Sequence, residues 1–246
     1  MKSLLLTLLA IPFLIGIPSA EAAIVQTVSG NGGGYVNSYT ISVTPTAGDT
    51  LIMTLTSGAA DSGYTVTDNK NNTWTKRQGV INSGQRLTDI WDEQNVASGA
   101  TTITITFMAG QFNDSAYILR EYSGLTTTSY DTGAIGNDYG AFIQSHTSST
   151  TPTTAQASEI LVGGGGCANT GTPTSVAGSG YGNGLEQKGF DNFTWDFMED
   201  QSVSSVGTQV ATWSTTAFAT CETVIGTYKT TTASTPAVSS LIILFQ

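Results

Sequence analysis

The sequence predicts an all-β protein, built as a two-sheet antiparallel β-sandwich. Three observations support this prediction: Thr is the most frequent residue type, apolar residues alternate with polar ones, and turn residues recur at short intervals. Thr favours strands, and both Thr and the 28 Gly residues are weak helix formers. Many short strands without helices between them are typical of a sandwich or a barrel.

Alternation with a period of two residues marks four predicted strands most clearly, at 38–44, 49–56, 101–107 and 192–198. The alternating apolar residues are Tyr39, Ile41, Val43, Leu51, Met53, Leu55, Ile103, Ile105, Phe107, Phe193, Trp195 and Phe197. The opposite face of 101–107 is formed by Thr102, Thr104 and Thr106. We expect each of these strands to bury one face and expose the other, as in antiparallel sheets.

Turn segments separate the predicted strands. The richest in Asn, Asp and Gly, which tolerate left-handed backbone, lie at 46–49, 68–72 and 97–100. The C-terminal run 241–245 is apolar at every position. It therefore predicts a central strand that is covered on both faces.

The N-terminal segment has the layout of a secretory signal peptide. Lys2 gives a positive start, residues 4–17 form an apolar run, and Ala20 and Ala22 have the spacing of a cleavage site. The run is shorter than the roughly 20 residues that span a membrane. We predict that residues 1–22 are removed, that residues 23–246 form a single sandwich domain, and that no membrane span remains.

Composition narrows the range of partners. The formal net charge is −10 while charged residues make up 11% of the chain, so polarity comes mainly from Thr, Ser, Asn and Gly. Phosphate binding requires clustered Lys and Arg. Nucleic acid is therefore not an expected partner, and the hydroxyl-rich surface suits a protein outside the cell.

Cys167 and Cys221 are the two cysteines of the chain. In an exported protein such a pair predicts a disulfide, the alternative being two buried free thiols. The chain also contains a weak internal echo, since a polar turn precedes an apolar strand both at 44–53 and at 151–162. Recurrent turn chemistry explains this echo more simply than an ancient duplication, in keeping with one domain.

Several short motifs follow one another in a characteristic order. They are Asp68, Asn-Thr-Trp-Thr at 72–75, Ile-Trp at 90–91, Ser-Gly at 98–99, the strand at 101–106 and Glu-Tyr-Ser-Gly at 121–124. This order resembles a widespread, poorly characterised group of exported bacterial β-sandwich proteins, although Asn71 stands where that pattern prefers Gly. The resemblance implies a jelly-roll-like sandwich in a surface or secreted protein, and it brings no catalytic residues with it.

Two arrangements could serve catalysis. Asp89, Trp91 and Glu93 fall on one side of a predicted strand, which matches the paired carboxylates of glycosidases. A solvent-facing strand end with an ordinary Trp explains them more simply. His146, the single histidine, would have to serve any Ser–His triad, but its Ser/Thr-rich surroundings predict a solvated loop. We therefore assign no catalytic residue.

The segment 190–197 interleaves aromatic rings with carboxylates and an amide. A ring beside hydrogen-bonding groups can bind sugar, so Asp191, Trp195 and Asp196 are the candidate ligand-binding residues. The alternative is that the alternating rings of this segment all belong to the core. Trp91 and Trp213 are weaker candidates of the same kind.

No cofactor is expected, although the segments 68–72 and 196–200 carry the oxygen ligands that a structural calcium ion would need. The segment 23–28 predicts a strand that pairs within its own chain or, alternatively, is donated to a neighbour. The leading functional prediction is a non-enzymatic, secreted or cell-surface protein with an adhesive or structural, self-assembling role. The alternatives are a carbohydrate-binding module and a β-sandwich polysaccharide hydrolase or lyase. The expected partner is an extracellular polysaccharide, a surface component or a second copy of the chain.

Overall fold

A computed structural model describes residues 22–34, 36–58, 63–82, 86–108, 114–138, 141–168 and 174–231. The predicted signal peptide up to residue 21 and the predicted strand 241–245 lie outside these ranges. The fifteen strands are β1 (Ala23–Asn31), β2 (Ser38–Val43), β3 (Thr50–Ser57), β4 (Tyr64–Asp68), β5 (Thr75–Asn82), β6 (Arg86–Gln94), β7 (Thr101–Phe107), β8 (Ser115–Ser123), β9 (Leu125–Asn137), β10 (Ile143–Thr147), β11 (Glu159–Ala168), β12 (Ser175–Ala177), β13 (Gly182–Lys188), β14 (Thr194–Val203) and β15 (Thr212–Thr230). Because none of the described residues is helical, no described segment could cross a membrane as a helix.

The first eight strands form a jelly roll. They build one sheet in the order β1-β8-β3-β6-β5 and a smaller one in the order β2-β7-β4. The pairs β1–β8, β2–β7 and β3–β6 are nested and antiparallel, as in a long folded ribbon. Rolling up such a ribbon places β8 beside β3 and β7 beside β4, which is the jelly-roll arrangement. The predicted fold class is therefore confirmed.

The second half of the chain repeats this strand order. Its larger sheet runs β9-β15-β11-β14-β13, and β10 and β12 flank the first part of the long strand β15. Strand β15 thus takes the positions of both β7 and β8. The echoing turns at 44–47 and 151–154 precede β3 and β11, which are equivalent strands. This repeated topology favours an internal duplication over the simpler explanation by recurrent turn chemistry.

The two larger sheets pack face to face at the centre of the molecule. Ile52 and Ile118 of the first half meet Val162, Met198 and Val224 of the second half in one apolar cluster. All eight residues of β3 are buried, because its other face packs on the sheet β2-β7-β4. The expectation of one exposed face per strand is therefore wrong for β3 and for β14, in which residues 194–200 are all buried, although it holds for β2 and β7.

A further apolar cluster lies on the far side of the second large sheet. Trp195 and Phe197 of β14 pack there with Trp213 of β15, and the rings of Phe197 and Trp213 stack at 5.1 Å. The strands β10, β12 and the first part of β15 cover this cluster. The described residues therefore form four layers, with the two small sheets on the outside.

The two halves meet through reciprocal contacts. The Tyr122 hydroxyl donates to the Asp200 carboxylate at 3.0 Å. At the equivalent position Tyr228 faces Asp92, although the two groups lie outside hydrogen-bond geometry. Contacts that repeat in both directions are typical of two-fold interfaces between identical subunits. The central interface thus has the pattern of a dimer within one chain.

Four consecutive glycines, at 163–166 in β11, allow these layers to approach closely. A Cβ atom at Gly166 would collide with the hydroxyls of Thr88 and Thr56 in the first large sheet. A Cβ atom at Gly165 would collide with the Trp213 ring on the opposite side. Strand β11 therefore lacks side chains on both faces at this point, because side chains of the adjacent layers occupy the space.

Candidate functional site

The predicted disulfide is present. Cys167 of β11 and Cys221 of β15 lie directly opposite each other, with their Cα atoms 4.2 Å apart, and both are buried. The bond closes a loop of 54 residues, for which chain entropy gives a stabilisation of about 4 kcal/mol. It joins the central strands of the second large sheet.

The three candidate ligand-binding residues are not brought together. Trp195 is 1% exposed, and its indole nitrogen donates to the Asn192 carbonyl at 3.0 Å. Asp196 lies on the opposite face of β14 and is fully buried, whereas Asp191 lies in the preceding turn and accepts from the Phe193 amide at 2.8 Å. A sugar platform needs an exposed ring, so this segment supplies none at Trp195.

Asp196 is instead part of a polar contact between the two large sheets. It accepts hydrogen bonds from the hydroxyls of Thr54 at 2.7 Å and Thr56 at 2.8 Å. Burial raises the pKa of Asp196 to about 8, because these hydroxyls offset little of the lost hydration. Burial therefore favours the protonated form of Asp196, and its role is to join the sheets.

Asp89, Trp91 and Glu93 share one face of β6, as predicted, but this face lies against the small sheet β2-β7-β4. Asp89 is fully buried and binds Lys76 at 2.8 Å and the Tyr64 hydroxyl at 2.7 Å. Burial and, to a lesser extent, the neighbouring Asp68 together raise the pKa of Glu93 to about 8. A carboxylate pair for glycoside hydrolysis must border an open cleft, whereas these residues face the interior.

His146 is not in a solvated loop, and that prediction is wrong. It lies in β10, fully buried, with its ring centroid 4.6 Å from that of Trp213. Its Nδ1 lies 2.9 Å from Asp138 Oδ2 and its Nε2 lies 3.3 Å from Thr215 Oγ1. The Thr215 hydroxyl is buried and donates to the Ala217 carbonyl, so this Asp–His–Thr row stabilises the outer layer.

The two candidate calcium segments differ from the expected oxygen-rich loops. Asp68 caps its own turn, accepting from the amides of Lys70 and Asn72 and from the Trp74 indole. The segment 196–200 is part of β14, so its carboxylates alternate between the two faces of a strand. In the ranges that the structure describes, no group of three or more His, Cys, Asp or Glu residues could hold a metal ion.

The outermost surface of the first half is an array of hydroxyl groups, here called the first hydroxyl face. Cross-strand register aligns Ser38 with Thr106 and Thr65, and Thr40 with Thr104 and Thr67. The face comprises Ser38, Thr40, Ser42, Thr65, Thr67, Thr102, Thr104 and Thr106, all exposed or half-buried. Neighbours are about 4.8 Å apart across strands and about 6.8 Å apart along them. None of these eight side chains is charged.

A smaller array, the second hydroxyl face, covers the opposite end of the stack. It consists of Ser145 and Thr147 of β10 with Ser214 and Thr212 of β15, which pair in register, and of Val176 in β12. These residues are exposed or half-buried, and none is charged. Sequence reasoning identified the Thr residues of β7, but not the faces, because strand pairing between distant segments leaves no local signal.

Comparison with known proteins did not identify relatives. The chain matches no protein-family model, no curated protein and no solved structure.

Proposed function

We propose that this chain is a non-enzymatic, exported adhesive protein that binds neutral polysaccharide through its two hydroxyl faces. The observation that carries this proposal is the position of two uncharged Ser/Thr arrays on opposite outer layers of one stack. The disulfide supports export, because such bonds persist mainly in oxidising compartments.

The charge distribution favours a neutral polymer. With a net charge of −10, the chain repels anionic polysaccharide over the Debye length of about 8 Å at physiological salt. Each Ser or Thr hydroxyl offers one donor and two acceptor sites, while the Thr methyl groups add apolar contact. A sugar polymer likewise presents hydroxyl and C–H groups side by side, so the two surfaces match chemically.

The scaffold reduces the entropic cost of binding. Thr is β-branched, and its side chain has few rotamers on a strand. A single hydrogen bond contributes only about 1 kcal/mol after exchange with water. Affinity for a polymer therefore depends on many preordered hydroxyls acting together, which the aligned rows of β2, β7 and β4 provide.

Adhesion is favoured over strand exchange as the structural role. Strand β1 is paired with β8 of its own chain from Ala23 to Asn31. Donation to a neighbour would require this ladder to break. The two faces need no rearrangement, and together they could bridge two polymer strands.

Charges placed on the first hydroxyl face are expected to weaken adhesion. The double substitution Thr40→Asp and Thr104→Asp introduces two carboxylates that lose hydration against a neutral polymer, and retention on insoluble neutral polysaccharide should fall by about tenfold, or about 1.4 kcal/mol. The measurement is a depletion isotherm at physiological salt. Thr127→Asp, at an exposed position of β9, is the matched control. Equal retention of the double variant and the control would contradict the proposal.

A further inference from the structure

A pocket of about 310 Å³ opens between the two large sheets, at the edge formed by β1 and β13. Ile24 and Ile160 contribute apolar walls, while Asn183, Asp200 and Ser202 contribute polar groups. Its volume is at the lower end of the range of small-molecule sites, which begins at about 300 Å³. None of these residues belongs to the hydroxyl faces.

The pocket exists because the two halves differ at equivalent positions. Ile24 of β1 lies opposite Tyr122, and Tyr130 of β9 lies opposite Tyr228. In the second case the aromatic ring fills the interface, with the Tyr130 and Tyr228 centroids 5.6 Å apart in an edge-on contact. Next to Tyr122, the smaller side chain of Ile24 leaves the volume of the pocket unfilled.

The edge-strand residue that binds the aspartate also differs in size between the two halves. Arg77 of β5 binds Asp92 at 2.9 Å and lies 4.7 Å over the Tyr130 ring. In the other half Asn183 of β13 donates to Asp200 at 2.7 Å in place of the arginine. An arginine still binds this carboxylate, but it is Arg120 of β8 rather than a residue of the edge strand. Two smaller side chains therefore open a cavity at the position that Tyr130 and Arg77 fill in the equivalent site.

The polar groups of the pocket are held in place. Asp200 accepts from Arg120 at 3.1 Å, from Tyr122 at 3.0 Å and from Asn183, which uses three of about four acceptor positions of a carboxylate. Arg120 also donates to the Asn183 carbonyl and is 2% exposed. Asn183 adopts a left-handed backbone with φ 52° that turns this carbonyl toward Arg120. The Arg120 and Asp200 side chains carry opposite charges and form a buried pair.

We infer that this pocket binds one ring of a neutral sugar. The volume accommodates a single ring, the apolar walls suit its C–H surface, and Asp200, Asn183 and Ser202 offer hydrogen bonds to its hydroxyls. The inference goes beyond the proposed function, because it concerns recognition of one sugar unit by residues outside both faces. Because Asp200 is paired with Arg120, neither side chain is left as a free counter-ion for a charged ligand.

The test introduces at position 24 the tyrosine that the other half has at the equivalent position, Tyr130. Binding of the methyl glycosides of glucose, galactose and mannose to the purified protein is followed by ligand-observed NMR titration. Saturable binding of at least one glycoside is expected, with a loss of about tenfold or more in Ile24→Tyr, which corresponds to about 1.4 kcal/mol. Val25→Tyr, on the same strand and 48% exposed, is the matched control and should bind normally. Ser202→Trp, at an exposed position of the pocket rim, should block binding without entering the core.

Two outcomes would overturn the inference: no glycoside binds the unmodified protein, or binding survives both Ile24→Tyr and Ser202→Trp. The result is separable from that for the proposed function. Ile24→Tyr should still adhere to insoluble polysaccharide, and the double variant of Thr40 and Thr104 should still bind the glycoside.

Discussion

Raising the pH from about 4 to about 8 is expected to lower the free energy of unfolding by several kcal/mol. Burial raises the pKa of Asp196 and of Glu199 to about 8 in the folded protein, whereas unfolded carboxyl groups titrate near 4. Between these values the folded state holds protons that the unfolded state has lost. The stability that these two groups contribute is therefore fully present below about pH 4 and is lost as the pH rises through the folded pKa.

The substitution Asp196→Asn isolates the contribution of one carboxyl group to the pH dependence of the free energy of unfolding. The amide stays neutral and can keep a hydrogen bond to Thr54 or Thr56, so the slope of stability against pH should decrease by about 1.4 kcal/mol per pH unit. Urea unfolding at a series of pH values measures this slope. Glu186→Gln, at a half-buried position of β13, is the same change of acid to amide elsewhere in the second half and is measured in parallel. Equal slopes for the Asp196→Asn variant and the unmodified protein would show that Asp196 is ionised in the fold.

Gly166→Val is expected to prevent folding, or to destabilise the protein by about 4 kcal/mol, above the usual range for an overpacked core. The added side chain would collide with Thr88 and Thr56. The backbone cannot move away, because Gly166 is paired with Asp196 on one side and with Glu222 on the other. Both neighbouring strands would have to move with it.

The matched control for this substitution is Gly182→Val, in the edge strand β13. A Cβ atom at Gly182 has no neighbour within 4 Å among the described residues, so its cost should stay below about 0.5 kcal/mol. Chemical denaturation of the two variants gives the comparison. If both unfolded at the same denaturant concentration, the close contact between β11 and the first large sheet would not exist in solution.

Local patterns predicted part of this structure well. The alternation of β2 and β7 assigns their buried and exposed faces, because each lies in an outer layer with solvent on one side. The disulfide was predicted from two cysteines and a predicted signal peptide, without knowledge of the positions of the cysteines in the fold. These features depend on residues close in sequence or on composition alone.

Other features depend on contacts between the two halves, which leave little local signal. Leu51, Met53 and Leu55 of β3 indicate one buried face, but its Thr residues are buried as well by the second large sheet. In β11 glycines stand where β3 has larger side chains, so the repeat is obscured in sequence. His146 has a polar sequence context, yet the Trp213 ring covers it. The pocket is understood only when equivalent positions of the two halves are compared.

Bridging of polysaccharide particles tests the central claim most directly, because it requires two binding faces on one molecule. Particles coated with neutral polysaccharide are mixed with the protein, and aggregation is followed by light scattering. The unmodified protein should aggregate the particles. The variants Thr40→Asp with Thr104→Asp and Ser145→Asp with Ser214→Asp should each still coat the particles through the remaining face without aggregating them. Coating by the unmodified protein without aggregation, or aggregation by either variant at the unmodified level, would contradict the account.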